Sequence, residues 1–274
     1  MLRAPSRVKH RLGHGWSFPM PVSSDFSFLP PDMPDRSILL APAIRDTLAI
    51  RKIAKRSKGS KIGGLVCPAT FRLIRTESEI EHAATQHCYA DRAVATVREQ
   101  AARIVGQTPE GDKFTHILDL VAITFKGLKL GLVVKHSSKA AKMRLCDFVA
   151  TLAPWTPKRV ADRVLPLTNR DLPEFHVRNA QHFLSVRRDQ RNVFDDLVRE
   201  AAPLVVEPTT IREFTAQFGG GEFAFRPVLR AIFFGTFVRL EDGLIDADTE
   251  IQFSGSVEPD LDQDRRYPMP GKAH

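Results

Sequence analysis

Residues 114–138 read FTHILDLVAITFKGLKLGLVVKHSS. Two β-rich runs, 117–125 and 128–135, flank Lys126-Gly127, which is the signal of a β-hairpin. Both runs are apolar at successive positions, as in strands covered by helices on each face. Asp119 opens the first run and Lys135 closes the second, so both charges lie at one end of the hairpin. A charge in a covered sheet is costly unless something uses it. The loop decides whether the two share a face. If partner positions add to 254, with Lys126-Gly127-Leu128 as the loop, Asp119 faces Lys135 directly. A two-residue loop gives 253 and separates them. An odd-numbered loop is expected.

Upstream, Thr76 and Glu79 have capping-box spacing, before a helix to about Tyr89 with Ile80, Ala83, Ala84, His87 and Cys88 at helical intervals. Glu77 and Glu81 lie one turn apart on an adjoining face. Residues 94–105 (VATVREQAARIV) read as a strand. Downstream, Ser137 or Ser138 caps a helix from about Lys139 to Leu152, with Leu145, Phe148, Val149 and Leu152 as its stripe. Pro154 and Pro157 stop it, and residues 163–168 read as a short strand. The expected fold is α/β, a mixed sheet flanked by helices.

Residues 169–173 look like a linker before a long helix over about 174–201. Thr210 and Glu213 form a second capping box for a short helix over 211–218. Gly219-Gly220-Gly221, which lacks the lysine and hydroxyl of a P-loop, reads as a turn. A helix over 223–234 and a hairpin over 237–253 around Glu241-Asp242-Gly243 follow. That order is the order of a winged helix-turn-helix, a mainly α second domain. The expected division is a basic, largely extended arm over 1–60, an α/β domain over 61–168, a winged-helix domain over 169–254 and a flexible tail over 255–274.

The chain has 274 residues, 43% hydrophobic and 26% charged, which excludes wholesale disorder. Its net charge of +8 is concentrated at one end: residues 1–75 carry 14 basic and 4 acidic side chains. Such an arm suggests a polyanionic partner. Six basic residues stand among 51–61 (RKIAKRSKGSK), either a solvated linker or a phosphate-binding strip that includes Arg51, Lys52, Lys55 and Arg56. Cys67, Cys88 and Cys146 show no paired spacing, so no disulfide framework or cysteine zinc site is expected, in keeping with a cytoplasmic protein. No secretory signal is evident, and Asp119, Lys126 and Lys129 break the longest apolar stretch. No membrane association is expected.

A carboxylate on one strand, a lysine on the next and an acid on a preceding helix make a metal-dependent phosphodiesterase constellation. Carboxylates hold Mg²⁺, and the lysine positions water or offsets transition-state charge. Taken alone, Asp119 and Lys135 are as well read as a salt bridge or solvated strand ends.

The order of short motifs adds to this. Thr76-Glu77-Ser78-Glu79-Ile80-Glu81 is followed by Val97-Arg98-Glu99-Gln100, Phe114-Thr115-His116-Ile117-Leu118-Asp119 and Val133-Val134-Lys135. Over about residues 60–253 the chain resembles TnsA, the endonuclease subunit of heteromeric transposases. The resemblance implies a PD-(D/E)XK restriction-endonuclease-like domain followed by a winged helix. It implies Glu81 (Glu77 second) as the helical acid, Asp119 as the central metal ligand, Lys135 as the catalytic lysine and Gln100 in a supporting role. The metal would be Mg²⁺, with Mn²⁺ as a substitute, held by Glu81, Asp119 and the carbonyl of Val134. The implied activity is cleavage of the non-transferred DNA strand at transposon ends, beside a DDE-type transposase subunit and an AAA+ ATPase regulator. Where the family has Glu or Gln two residues before the lysine, this chain has Val133. Either Glu77 or Glu99 substitutes, or the site is slow or dead.

His10, His14, His82, His87 and His116 show no paired-ligand spacing and read as surface or core residues. Arg226 and Arg230 stand amid Phe223, Phe225, Val228, Leu229, Ile232 and Phe233, which reads as core before it reads as a base-contacting helix. Lys139, Lys142 and Arg144 follow Lys135 and are the expected DNA-backbone contacts. Two non-catalytic alternatives stand beside the nuclease: a DNA-binding scaffold subunit that lost its metal site, and a winged-helix regulator.

Overall fold

The computed structural model describes residues 44–50, 63–67, 72–188 and 193–256. Most of the arm, including Arg51, Lys52, Lys55 and Arg56, and the tail from 257 lie outside the described residues.

Strands β1 (Gly63–Val66) and β2 (Leu73–Thr76) pair antiparallel and lead into helix α1 (Glu79–Ala90). Thr76 does not cap this helix. It pairs with Gly63 as the last residue of β2, and its hydroxyl is buried without a partner. Ser78 is the cap instead: its backbone is extended, and its side chain accepts from the N–H of Glu81.

Six strands follow: β3 (Val94–Glu99), β4 (Arg103–Gln107), β5 (Lys113–Ile117), β6 (Leu120–Thr124), β7 (Lys129–Val134) and, after two helices, β8 (Arg163–Leu167). Their main sheet has the order β3-β6-β7-β8, antiparallel except for the parallel β7/β8 pair. The expected strands over 94–105 and 117–125 are each split, because β4 and β5 form a separate ribbon. Between the pairs Glu99↔Leu120 and Arg103↔Ile117, residues 100–102 stand opposite residues 118–119. The first strand therefore carries one extra residue, a β-bulge. Gln100 supplies it with a left-handed φ of 43°.

The β6/β7 hairpin pairs Leu120 with Leu132 and Ile123 with Lys129, so partner positions add to 252 rather than 254. The loop is Phe125-Lys126-Gly127. Three-residue hairpin loops end in a left-handed residue, and Gly127, with φ 82°, takes that place. The Thr124 hydroxyl closes the turn by accepting from the N–H of Leu128 at 3.1 Å. The odd loop length is kept, so side-chain parity survives the shift.

Alternation sorts the sheet into two faces. Leu120, Ala122, Leu130, Leu132 and Val134 join Ala84, Cys88 and Tyr89 of α1 in one core. Val121, Val133 and Val164 face the other way, onto α2 (Ser137–Lys142) and α3 (Leu145–Leu152). The expected helix over 139–152 breaks at Arg144, whose φ is 49°. The break turns both Ala140 and Leu145 inward; five residues apart on a continuous helix they would point about 140° apart. His136, rather than Ser137 or Ser138, caps α2 by accepting from the N–H of Ser138.

The long helix expected over 174–201 is described as α4 (Glu174–Arg188) and α5 (Val193–Ala201), with 189–192 outside the described residues. Leu184 of α4 packs into the α1 core, while Val186 joins a second core with Val198, Ile211, Phe214, Val228 and Ile251. After β9 (Thr209–Thr210), the Thr210–Glu213 capping box starts α6 (Ile211–Ala216). A 3₁₀ turn over 221–224 precedes α7 (Phe225–Phe234), and β10 (Phe237–Arg239) and β11 (Glu250–Phe253) complete a sheet of order β10-β11-β9. The connection between the last two strands is longer than Glu241-Asp242-Gly243, running over 240–249. Among the described residues, no helix is long and apolar enough to cross a membrane.

Candidate active site

The Gln100 bulge lies beside Asp119. The Gln100 N–H donates to the Asp119 carbonyl at 2.8 Å, and the Leu118 N–H donates to Ala102. Asp119 thus sits at the step between β5 and β6, just ahead of β6. In the observed register it stands opposite Val133, with Lys135 two residues further on and on the same face. The offset is within side-chain reach: Lys135 Nζ is 2.7 Å from Asp119 Oδ2 and 2.9 Å from the carbonyl of Val134. The same Oδ2 accepts from the N–H of Val134 at 2.8 Å. The two side chains are only 16% and 18% exposed, so their attraction is less screened than that of a surface pair.

Glu81 approaches from the start of α1. Its Oε2 accepts from the Glu77 N–H at 2.9 Å and its Oε1 from the Ser78 hydroxyl at 3.1 Å. Burial pushes its carboxyl above the usual range; those hydrogen bonds oppose the rise, and the charges of Asp119 and Glu77 add to it. Asp119 therefore lies close enough for the two carboxylates to repel.

His116 stands on β5 with its ring edge against Phe148, centroids 5.1 Å apart, and its Nε2 buried without a partner. Burial lowers its pKa, Asp119 opposes that and Lys135 adds to it, so the ring is held neutral.

Not every sequence-predicted residue converges here. Val133 is fully buried in the α2/α3 core and brings no side-chain oxygen. Glu99 does not replace it: it is 1% exposed and holds Arg72 at 2.6 Å while accepting from the Thr47 hydroxyl. Lys139, Lys142 and Arg144 are all exposed, Arg144 in a surface ion pair with Asp147 at 2.6 Å. Arg230 is buried against Asp195 and the carbonyl of Val186, so it is unavailable to DNA, whereas Arg226 is exposed. Sequence reasoning missed Arg72, Thr47 and the His136 cap. An ion pair between residues 27 positions apart has no periodic signature.

Among the described residues, no group of three or more His, Cys, Asp or Glu side chains forms a metal cage. The oxygens present are two carboxylates and one backbone carbonyl. Mg²⁺ is commonly held by one or two carboxylates, keeping several waters, so this all-oxygen set suits it as an open site. The mutual repulsion of Glu81 and Asp119 is what a divalent cation would relieve. No protein-family model matches the chain, and no curated protein matches it.

Proposed function

We propose that the protein is a metal-dependent DNA endonuclease subunit of a transposition complex, cleaving the non-transferred strand at transposon ends. The observation that carries this reading is the contact of Lys135 with Asp119 beside the raised-pKa Glu81. Further support comes from placement: β3 ends at Glu99, Asp119 immediately precedes β6, and Lys135 immediately follows β7. These are the strand ends that resemblance to TnsA, with its restriction-endonuclease-like fold, calls for. In the second half, the order β9-α6-α7-β10-β11 and the sheet order β10-β11-β9 support a winged helix. With most of α7 buried, that domain is read as an assembly module, and its partners would be a DDE-type transposase and an AAA+ ATPase.

Glu81, Asp119 and the Val134 carbonyl would hold Mg²⁺ or Mn²⁺, which when bound would polarise the scissile phosphate and acidify the attacking water. Lys135 has three N–H donors, of which two are engaged by Asp119 and Val134, leaving one for a phosphate oxygen. Lys139 and Lys142 offer exposed charge to the DNA backbone beside this site.

A second reading, a scaffold subunit with an impaired site, is favoured by the fully buried Val133 where a side-chain oxygen would complete the ligands. Nicking of a transposon-end plasmid with Mg²⁺ or Mn²⁺, alone and with the transposase partner, decides between them. The nuclease reading expects wild-type nicking that Asp119→Ala and Lys135→Ala abolish. Equal behaviour of all three proteins overturns it; DNA retention without nicking selects the scaffold.

A further inference from the structure

We infer that residues 44–50, together with Arg72 and Glu99, form a positioning strap that fixes the bulge from which Asp119 is aimed. The functional consequence rests on the nuclease reading above; the structural one does not.

Residues 44–50 run beside β2 and the end of β3. Arg45 forms a parallel bridge with Arg72, and its carbonyl accepts from the Leu73 N–H at 2.9 Å. The Thr47 hydroxyl donates to Glu99 Oε1 and accepts from the Ala49 N–H at 3.2 Å. The Ile50 N–H reaches the carbonyl of Gln100 at 3.4 Å. From the other side, Arg72 Nη1 donates to Glu99 Oε2 at 2.6 Å, and its Nη2 donates to the Val97 carbonyl. Both Glu99 oxygens are thereby engaged in a site with side-chain exposures of 8% and 1% for the ion pair. The next residue is Gln100, whose N–H holds the Asp119 main chain at 2.8 Å. A continuous run of contacts therefore joins Thr47 and Arg72 to Asp119.

The strap has a physical task. A non-glycine residue in the left-handed region costs about 1–2 kcal/mol and persists only where its surroundings over-determine it. The competing arrangement drops the bulge and slides β3 one residue against β6, which turns every side chain to the opposite face. Buried ion pairs contribute little net stability, and their best-attested use is fixing register. Glu99, anchored on both oxygens one residue before the bulge, fixes where the extra residue sits. Arg72, Thr47 and Glu99 are positioning residues that act on Asp119 through Gln100.

The test uses full-length Thr47→Val, Thr47→Ser and the paired apolar replacement Arg72→Met/Glu99→Leu, which leaves no unpaired buried charge. The readouts are the thermal midpoint, amide hydrogen exchange at Gln100 and Leu118, DNA retention, and plasmid nicking across a Mg²⁺ titration. Thr47→Val and the paired variant should stay folded and exchange at least ten-fold faster at both amides. They should nick about ten- to a hundred-fold more slowly at unchanged DNA retention. Thr47→Ser should restore both properties. A folded paired variant with wild-type exchange at Gln100 overturns the strap. Faster exchange with wild-type nicking overturns its link to Asp119. If the wild type itself does not nick, the nuclease reading fails, and the exchange data still decide whether the strap holds the bulge.

Discussion

Replacing Lys135 by Met keeps the aliphatic stem and removes the ammonium. Two charge-assisted hydrogen bonds are lost, to Asp119 Oδ2 and to the Val134 carbonyl. The Asp119 carboxylate, with its side chain 16% exposed, then keeps the Val134 N–H as its remaining hydrogen-bond donor. A net hydrogen bond to a charged group is worth ~1.5–3 kcal/mol, and the residual exposure screens part of it. The substitution should therefore destabilise by about 2 kcal/mol. For a chain of this size that lowers the thermal midpoint by about 4–8 °C. Combining it with Asp119→Asn in a double-mutant cycle, followed by urea titration, should give a coupling of about 1–2 kcal/mol. Lys135→Arg should recover much of the stability and little of the nicking, because a planar guanidinium does not present donors as an ammonium does. A coupling indistinguishable from zero would refute the geometry. Wild-type nicking by the Met variant would refute the role.

Glu81→Gln should do the opposite to stability. Because burial raises the Glu81 pKa in the folded protein, the folded state holds its proton more tightly than the unfolded chain. Wild-type stability attached to this group is present below the ordinary carboxylate range and lost as pH rises through the raised value. In metal-free urea titrations the variant should gain on the wild type as pH climbs from about 4 to about 8, while its Mg²⁺-dependent nicking falls. A pH-independent difference would contradict the assignment. Gly106→Ala should destabilise by about 1–3 kcal/mol, since a Cβ there would stand 2.5 Å from the Trp155 ring and 2.6 Å from that of Phe114. Thermal melts check this, and an unchanged midpoint would mean that the Trp155 packing against the ribbon is loose.

The covered hairpin was legible because residues 120–124 and 129–134 are apolar on both faces, which only a sheet between two helical layers explains. The shared face of Asp119 and Lys135 was legible for a related reason: side-chain direction has period two, so loop parity alone decides it. The register itself was not. It depends on which loop position takes the left-handed conformation, and Gly127 belongs third in the loop, not second. The bulge left no trace either. Gln100-Ala101-Ala102 breaks no rule of composition, and its conformation is held by Thr47 and Arg72, which are remote in sequence. Thr76 misled because two hydroxyls precede one helix. The strand claimed Thr76 through its pairing with Gly63, which left Ser78 to cap. That shift places Glu81, rather than Glu79, third in the helix, where its carboxylate folds back on the helix start.

The resting arrangement also bears on how the site would be loaded. Lys135 engages two of the oxygens assigned to the metal, Asp119 Oδ2 and the Val134 carbonyl, while both Glu81 oxygens accept from the start of α1. On the nuclease reading, Lys135 and a divalent cation therefore compete for the same acceptors. A DNA phosphate that drew the Lys135 ammonium toward itself would release those acceptors for a cation, and loss of those acceptors would leave the ammonium free for phosphate. Each ligand should then raise the affinity of the other, and linkage requires the two enhancements to be equal. Val133 sharpens this dependence, because it adds no side-chain oxygen to the acceptors that Lys135 engages. On that reading, weak metal binding without DNA is the expected outcome of the Lys135–Asp119 contact, and a Mg²⁺ titration whose midpoint is the same with and without DNA would contradict it.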